Sequence, residues 1–336
     1  MTQEKSRLGI DFGGTKTEII GLDASNGKEL YRKRIPTVPD DYKANLENFK
    51  NLVIEAERTL GMTGTVGMGI PGSISMDDGC VKNSNAVYMN GQPLQTDINE
   101  LLDREVRIQN DANCFAVSEA VDGAARGAKI VFGVIIGTGC GGGVAIDAKA
   151  VTGINGVAGE WGHNPLPKPR MYVPEIPADP FANDTPHEDT HHYPFLTMDE
   201  SWNEYPGPVC YCGHRNCQEL WMSGTGFKRD YQHVTGEDLS THDVIVNVKQ
   251  GESKAVAAFE RYVDRLARGL GVVINLIDPD VIVLGGGMSN VAMIYDELPK
   301  VWGKYITSDV VHTQLKPALH GDSSGVRGAA WLWNNE

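Results

Sequence analysis

Two stretches of the sequence combine glycines with acidic and polar side chains, a composition suited to binding phosphate. The first, residues 8–23, reads LGIDFGGTKTEIIGLD: a β-type run that contains Asp11 is interrupted by a glycine turn and then resumes. Glycines there can adopt positive φ and expose backbone amides to a phosphate, while Asp11 is placed to hold a cation or its water. The turn consists of Gly13, Gly14, Thr15 and Lys16. An ordinary hairpin has the same composition, so this stretch alone leaves both interpretations open.

The same pattern returns in residues 130–147, IVFGVIIGTGCGGGVAID. The repetition predicts two related halves that face one nucleotide. Part of this stretch fits G-x-G-x-x-G, but that dinucleotide fingerprint needs a helix directly after it. Here a strand pattern follows, so we do not expect a Rossmann site. The turn residues predicted to hold phosphate are Gly137, Thr138, Gly139 and Gly141.

Asp111 is a candidate general base. It follows a strand pattern at 106–108 and precedes a helical pattern at 114–128. A carboxylate at such a junction can accept the proton of a substrate hydroxyl. Asp and Asn are also common helix N-caps, so the spacing leaves a structural role equally open. Asn85 lies in a polar loop and suits either a sugar hydroxyl or a turn.

Three cysteines in the segment CYCGHRNC predict a metal site. Cys210, Cys212 and Cys217 lie within eight residues, which fits a knuckle for structural, tetrahedral zinc. Glu219 follows directly and would be held rigid by the metal loop. The fourth ligand is open at this point. The candidates are His163, which lies three residues after Glu160, and His187, His191, His192 and His214.

The remaining patterns describe the elements that position these groups. Helical periodicity over 43–60 and 251–276 predicts two packing helices, and 325–333 predicts a terminal one. An apolar strand at 281–284 leads into Gly285, Gly286 and Gly287, at the strand end where open α/β sheets bind ligands. Residues 167–208, called the excursion below, hold nine of the 17 prolines and predict a long surface segment.

Composition limits the classes of function. The chain has 336 residues, 41% of them apolar, which suits two domains. A net charge of −14 opposes nucleic acid and anionic membranes as partners. The N-terminal residues contain no apolar run, and no stretch of eighteen apolar residues occurs. We therefore expect a cytoplasmic protein without a signal peptide, and the cysteine usage agrees with that compartment.

The chain resembles the ROK sugar kinases over essentially its whole length, and within them the bacterial fructokinase/mannokinase branch. Their order and spacing together make the motifs specific. They are DFGGTK (11–16), GIPGSIS (69–75), NDAN (110–113), GTGCGGG (137–143), GEWGH (159–163), CYCGHRNCQE (210–219) and VLGGGMS (283–289).

The resemblance implies a two-domain α/β fold of the actin/hexokinase (ribonuclease H-like) type around a central cleft. Residues 1–113 would form the small domain, completed by a C-terminal helix at 319–336. Residues 114–318 would form the large domain, which carries the zinc knuckle and the insertion 167–208. Asp111 would be the base, and Gly285, Gly286 and Gly287 would border the adenosine. The sugar would be positioned by Gly72, Asn85, Asn110, Glu160, His163 and Glu219.

The implied activity is transfer of phosphate from magnesium-ATP to the 6-hydroxyl of a hexose, with fructose favoured. Mannokinase, glucokinase and N-acetylglucosamine kinase are the alternatives, and a non-catalytic sugar-responsive regulator is a distant one. His163 would complete the zinc site with one ring nitrogen and meet a sugar hydroxyl with the other. The family also leans to homodimers. One departure is that 46 residues separate His163 from Cys210, where the family usually has a short segment.

Overall fold

The computed structural model of the protein describes residues 6–175 and 196–333. The elements of the first half are β1 (Ser6–Phe12), β2 (Lys16–Asp23), β3 (Glu29–Pro36), α1 (Tyr42–Leu60), β4 (Gly64–Ile70), β5 (Ser73–Ile74), β6 (Val81–Lys82), α2 (Leu94–Leu102), β7 (Val106–Asn110) and α3 (Asp111–Val121). Those of the second half are β8 (Ile130–Ile136), β9 (Cys140–Ile146), β10 (Lys149–Ala150), β11 (Met171–Tyr172), β12 (Leu196–Thr197), α4 (Glu219–Met222), α5 (Gly224–Thr235), α6 (Thr241–Lys249), α7 (Ser253–Ile277), β13 (Val281–Gly285), α8 (Ala292–Val301), β14 (Gln314–Pro317) and α9 (Ser324–Ala330).

Two five-stranded sheets repeat one topology. The first has the order β3-β2-β1-β4-β7 and the second the order β10-β9-β8-β13-β14. In each sheet the first three strands in sequence pair antiparallel. The fourth strand pairs parallel with the first, and the fifth pairs parallel with the fourth. The two related halves predicted from the repeated glycine hairpins are therefore confirmed.

Alternating strand residues place each sheet between two apolar layers. On the outer face of the first sheet, Leu8 and Ile10 join a core with Phe49 of α1. On the outer face of the second, Phe132 and Val134 join a core with the buried side of α7. Helices α3 and α9 lie between the two sheets. This inner core contains Ile20, Leu22, Phe115, Ala116, Val131, Val283, Val326 and Ala330.

The terminal helix α9 packs directly on the first sheet. A Cβ at Gly67 would lie 1.9 Å from the carbonyl oxygen of Ala329, and a Cβ at Gly9 would lie 2.2 Å from that of Val326. Only glycine permits this approach of helix backbone to strand backbone. The expected return of the last helix to the first half is thus present.

Helix α3 differs from the prediction of residues 114–128. It begins earlier, at Asp111, because the Asn110 side chain caps it by accepting a hydrogen bond from the amide of Ala112. It ends at Val121, where the next residue, Asp122, accepts hydrogen bonds from Arg327 and from Trp331 Nε1. Partners from the far end of the chain override the local helical pattern.

The described parts of the excursion hold only short elements, β11, β12 and the 3-10 turn Glu200–Trp202, which matches the proline-rich composition. Residues 176–195 of the excursion lie outside the described part of the chain. Within 6–175 and 196–333, no helix combines the length and apolar character needed to cross a bilayer.

Candidate active site and metal centre

The first glycine turn lies open at the carboxyl end of β1. The amide of Gly13 donates to the carbonyl of Lys16 at 2.9 Å, and Thr37 Oγ1 donates to the carbonyl of Gly13 at 2.7 Å. Neither Gly13 nor Gly14 adopts positive φ, so that part of the sequence argument is corrected. A Cβ at Gly14 would meet no atom within 4 Å, so the backbone of the turn is open on that side. Thr15 and Lys16 are exposed on the same turn.

The second glycine turn, Gly137 to Gly139, accepts hydrogen bonds from the first residues of α5. The amide of Gly224 donates to the carbonyl of Gly137 at 2.8 Å, and Thr225 Oγ1 donates to that of Thr138 at 2.6 Å. Thr225 was not singled out by the sequence. Strand β9 continues after the turn, as expected, and Gly141 lies within it.

Asp111 lies at the first turn of α3, beside the carboxyl ends of β4 and β7. Its Oδ1 accepts from the amide of Ala112 at 2.8 Å, and Asn110 Nδ2 donates to the carbonyl of Gly72 at 2.9 Å. The carboxyl is accessible to solvent. Desolvation by the surrounding protein, and then the charge of Glu160, raise the pKa of Asp111 to about 6.

Four carboxyl groups interact electrostatically across the candidate cleft. Burial, followed by the charges of Asp111 and Glu18, raises the pKa of Asp11 to about 6. Burial also raises the pKa of Glu160, and the charge of Glu219 adds to that shift. The series Asp11, Asp111, Glu160, Glu219 therefore connects the first glycine turn to the metal-ligand segment. Three of the four, Asp11, Asp111 and Glu160, have raised pKa values, and such a concentration is typical of a functional site.

The GEWGH segment is packed against β9. Trp161 Nε1 donates to the carbonyl of Gly141 at 3.1 Å, and its ring meets Phe132 edge to face at 5.6 Å. His163 follows on the 3-10 turn Trp161–His163, and Glu160 immediately precedes that turn. Glu160 and His163 thus lie at the two ends of one short turn.

The predicted metal ligands come together. One ligand atom from each of His163, Cys210, Cys212 and Cys217 lies within 4.8 Å of the others. The sulfurs of Cys212 and Cys217 are 3.6 Å apart, and Cys210 Sγ is 3.7 Å from His163 Nδ1. A tetrahedral zinc with Zn–S bonds of about 2.3 Å separates its ligand sulfurs by about 3.8 Å, so the cluster fits zinc.

Chain pairing brings His163 to the knuckle despite the excursion. Pro165 forms an antiparallel bridge with Cys217, and the amide of Leu166 donates to the carbonyl of Asn216 at 2.8 Å. His214 lies near Cys212 but is not part of the four-ligand cluster. The other candidates, His187, His191 and His192, lie outside the described residues.

Glu219 and Tyr211 extend the cluster toward the second glycine turn. Glu219 Oε2 accepts from the amide of Cys140 at 3.0 Å, and a Cβ at Gly139 would lie 2.6 Å from that oxygen. Tyr211, which the sequence argument missed, places its hydroxyl 3.1 Å from His163 Nε2. That is the ring nitrogen expected to meet a sugar hydroxyl. The position of Tyr211 between two metal ligands was the signal available in the sequence.

The triglycine after β13 has two structural roles. Gly285 is buried, and a Cβ on it would lie 2.7 Å from the ring of Phe115. Gly286 has φ of 79° and approaches the carbonyl of Ile136. At Gly287 a Cβ would meet no atom within 4 Å. Of the three glycines expected to border the adenosine, only Gly286 and Gly287 are therefore exposed. Asn85 is exposed in the loop after β6 and stays a prediction.

The chain is similar in sequence to one protein family and to known kinases, and similar in structure to a solved hexokinase. The model of the ROK family matches residues 7–336. N-acetyl-D-glucosamine kinase of Yersinia pseudotuberculosis is 41% identical over 324 residues, covering 96% of this chain and 97% of the relative. The N-acetyl-D-glucosamine kinase of Vibrio cholerae is 38% identical, covering 96% and 98%. The crystal structure of a ROK hexokinase from Thermus thermophilus matches with a TM-score of 0.76 and 26% identity, covering 97% of each chain. The fold is therefore the two-sheet actin/hexokinase type.

Proposed function

The chain belongs to the ROK family of sugar kinases, and on that premise we propose that it phosphorylates N-acetyl-D-glucosamine with ATP. The kinase activity is carried by Asp111, an accessible carboxyl between the glycine turns and the metal-ligand segment. The choice of sugar is supported by relatives that are named N-acetyl-D-glucosamine kinases and cover nearly the whole chain. These relatives give no support to fructose, the sugar favoured from the sequence motifs.

The proposed reaction uses Asp111 as the general base. Its carboxylate accepts the proton of the sugar 6-hydroxyl while the hydroxyl oxygen bonds to the γ-phosphorus of ATP. The bond from that phosphorus to the β,γ-bridging oxygen breaks, and ADP leaves. With a pKa of about 6, Asp111 is ionised at neutral pH yet remains a stronger base than an ordinary aspartate.

Nucleotide binding is assigned to the two glycine turns and to Asp11. The open amides around Gly14 and Thr138 would cradle phosphate oxygens. Magnesium would neutralise charge on the β- and γ-oxygens, and Asp11 is the carboxylate placed to hold it or its water.

Sugar binding is assigned to groups on both sides of Asp111. Carboxylates accept hydrogen bonds from sugar hydroxyls, so Glu160 and Glu219 suit this role. Zinc bound by the knuckle would be structural, since all four positions are filled by protein ligands, and it would fix the orientation of His163.

A coupled ADP assay with magnesium-ATP tests the proposal. N-acetyl-D-glucosamine, fructose, glucose and mannose should be compared at matched concentrations. We expect kcat/KM to be highest for N-acetyl-D-glucosamine, by at least about tenfold, because a site that pairs with the acetamido group loses that pairing with the other sugars. A higher value for fructose would reverse the assignment of the sugar. No ADP from any hexose would overturn the kinase activity and favour a non-catalytic regulator.

A further inference from the structure

Three arginines lie on the buried side of α7. Arg261, Arg265 and Arg268 are each at most 2% exposed. Desolvating a guanidinium is costly, so buried arginines need close partners. Asp230 of α5 supplies one, since its carboxylate contacts Arg261 and Arg265 at 2.9 Å. The other main partner comes from the excursion.

Glu204 of the excursion is this second partner, and its side chain is fully buried. It accepts from Arg265 Nε at 2.8 Å and from Arg268 Nη2 at 2.6 Å. Its Oε2 also accepts from the amide of Arg170, in the opposite arm of the excursion, at 2.8 Å. Arg268 donates further to the carbonyl of Lys168 at 2.9 Å. Both described arms of the excursion are therefore fixed to α7 by one set of buried charges.

Arg265 is also linked to the knuckle, through the ring of Trp221. The guanidinium carbon of Arg265 lies 4.3 Å from the centroid of Trp221. Trp221 Nε1 donates to Asn216 Oδ1 at 2.6 Å, and Asn216 directly precedes the metal ligand Cys217. The amide of Asn216 donates to the carbonyl of Pro208, which closes the path back to the excursion.

Trp221 also belongs to α4, the helix that begins at Glu219. Displacement of Trp221 would therefore move Glu219 and the knuckle together. Neither Glu204 nor Arg265 is among the residues assigned to the cleft, so any effect on the sugar must be transmitted through this packing.

We propose that Glu204 and Arg265 are positioning residues for the sugar site, which make the described arms of the excursion, 167–175 and 196–208, a brace that holds the knuckle and Glu219 in place through Trp221 and Asn216. The expected consequence is selective. Sugar binding depends on this brace, and the second glycine turn depends on it in part because Glu219 accepts from the amide of Cys140. The first glycine turn lies on the other sheet and does not depend on it.

Two variants test the proposal. Glu204→Gln keeps the shape of the side chain but removes the charge that Arg265 and Arg268 share, so that Arg265 keeps only Asp230 and Arg268 only Asp264 as a carboxylate partner. Trp221→Phe keeps an aromatic ring beside Arg265 and all of the buried charges, and removes the hydrogen bond to Asn216 together with part of the buried ring. We expect each to raise KM for the sugar by about 3- to 10-fold through misplaced binding groups, and to raise KM for ATP by a smaller factor, because only one of the two glycine turns contacts Glu219.

A matched control separates positioning from loss of stability. Glu57→Gln removes a partly buried charge that pairs with Arg104 at 2.7 Å in the first half of the chain. This variant should lower the melting temperature and leave both KM values unchanged. If Glu204→Gln and Trp221→Phe also lower only the melting temperature, the ion network is purely structural and the positioning role is overturned.

The inference rests on the proposed function for its assay, but the two can fail separately. Absence of wild-type turnover on every hexose would overturn the proposed function. Sugar binding measured by calorimetry without ATP would then give the same comparison of variants. Normal wild-type turnover with unaffected variants would overturn the positioning role alone. If Glu204→Gln does not fold, Trp221→Phe still decides the outcome.

Discussion

The ionisation of Asp111 gives a quantitative test of the assigned base. Desolvation by the surrounding protein, with a further contribution from the charge of Glu160, raises the pKa of Asp111 to about 6. Only the carboxylate can accept a proton from the sugar, so activity should fall as pH drops through that value. About a tenth of the groups are ionised at pH 5 and nearly all at pH 7.5, which predicts about a tenfold loss of kcat/KM between them.

The assay is the pH profile of kcat/KM for the sugar, with folding at pH 5 checked by circular dichroism. Glu160→Gln removes a charge that raises the pKa of Asp111, so its acidic limb should move to lower pH. Asp111→Asn should lower turnover by at least about 10²-fold, the low end for loss of a general base, and should abolish the limb.

Asp11 must be separated from Asp111, because its pKa is also raised to about 6 by burial and neighbouring charges. A cation favours the ionised form of an adjacent carboxyl. Raising the magnesium concentration should therefore shift the acidic limb of the pH profile if Asp11 causes it. If Asp111 causes the limb, its position should not change. A profile that is flat from pH 8 to 5, or full turnover of Asp111→Asn, would show that the proton acceptor lies elsewhere.

Two further predictions concern the metal and the packing of the last helix. Metal analysis should find about one zinc per chain in the wild-type protein and almost none in Cys217→Ser. Cys80→Ser alters a thiol outside the four-ligand cluster and should keep its zinc. Equal metal content in both variants would contradict the ligand set. Gly67→Ala should lower the free energy of unfolding in urea by about 1–3 kcal/mol or more, because a Cβ there would lie 1.9 Å from the carbonyl of Ala329. In the matched variant Gly303→Ala, where a Cβ meets no atom within 4 Å, the change should stay within about 0.5 kcal/mol.

Local sequence patterns predicted most of the helices and strands that define the fold. The two glycine hairpins, α1, α7 and β13 follow from periodicity and from turns within a few residues of each element. The end of α3 could not be derived this way, because Asp122 is held by Arg327 and Trp331 from the opposite end of the chain. The early close of that helix depends on tertiary contacts that a sequence window cannot contain.

The site was predicted unevenly for a physical reason. Residues such as Asp111 and Cys217 belong to compact motifs in which the chemistry dictates both residue type and spacing. The brace formed by Glu204 and Arg265 joins residues 61 positions apart. One signal was nevertheless present, since Arg261, Arg265 and Arg268 recur at helical spacing along the apolar face of α7.

The identity of the sugar was the weakest inference from the motifs. The roles proposed for DFGGTK and NDAN concern phosphate and the attacking hydroxyl, which any hexose kinase must bind. The substituent that distinguishes one hexose from another contacts other parts of the cleft, so shared motifs carry little information on it.

The location of α9 between the two sheets has a consequence for biosynthesis. Strands β1 and β4 are synthesised before all the strands of the second half, whereas α9, the helix that covers their inner face, is synthesised after them. Until α9 is made, a nascent chain carries an uncovered apolar surface, and such surfaces favour aggregation and recruit chaperones. The first half of the molecule therefore cannot complete its packing until the strands of the second half have been made.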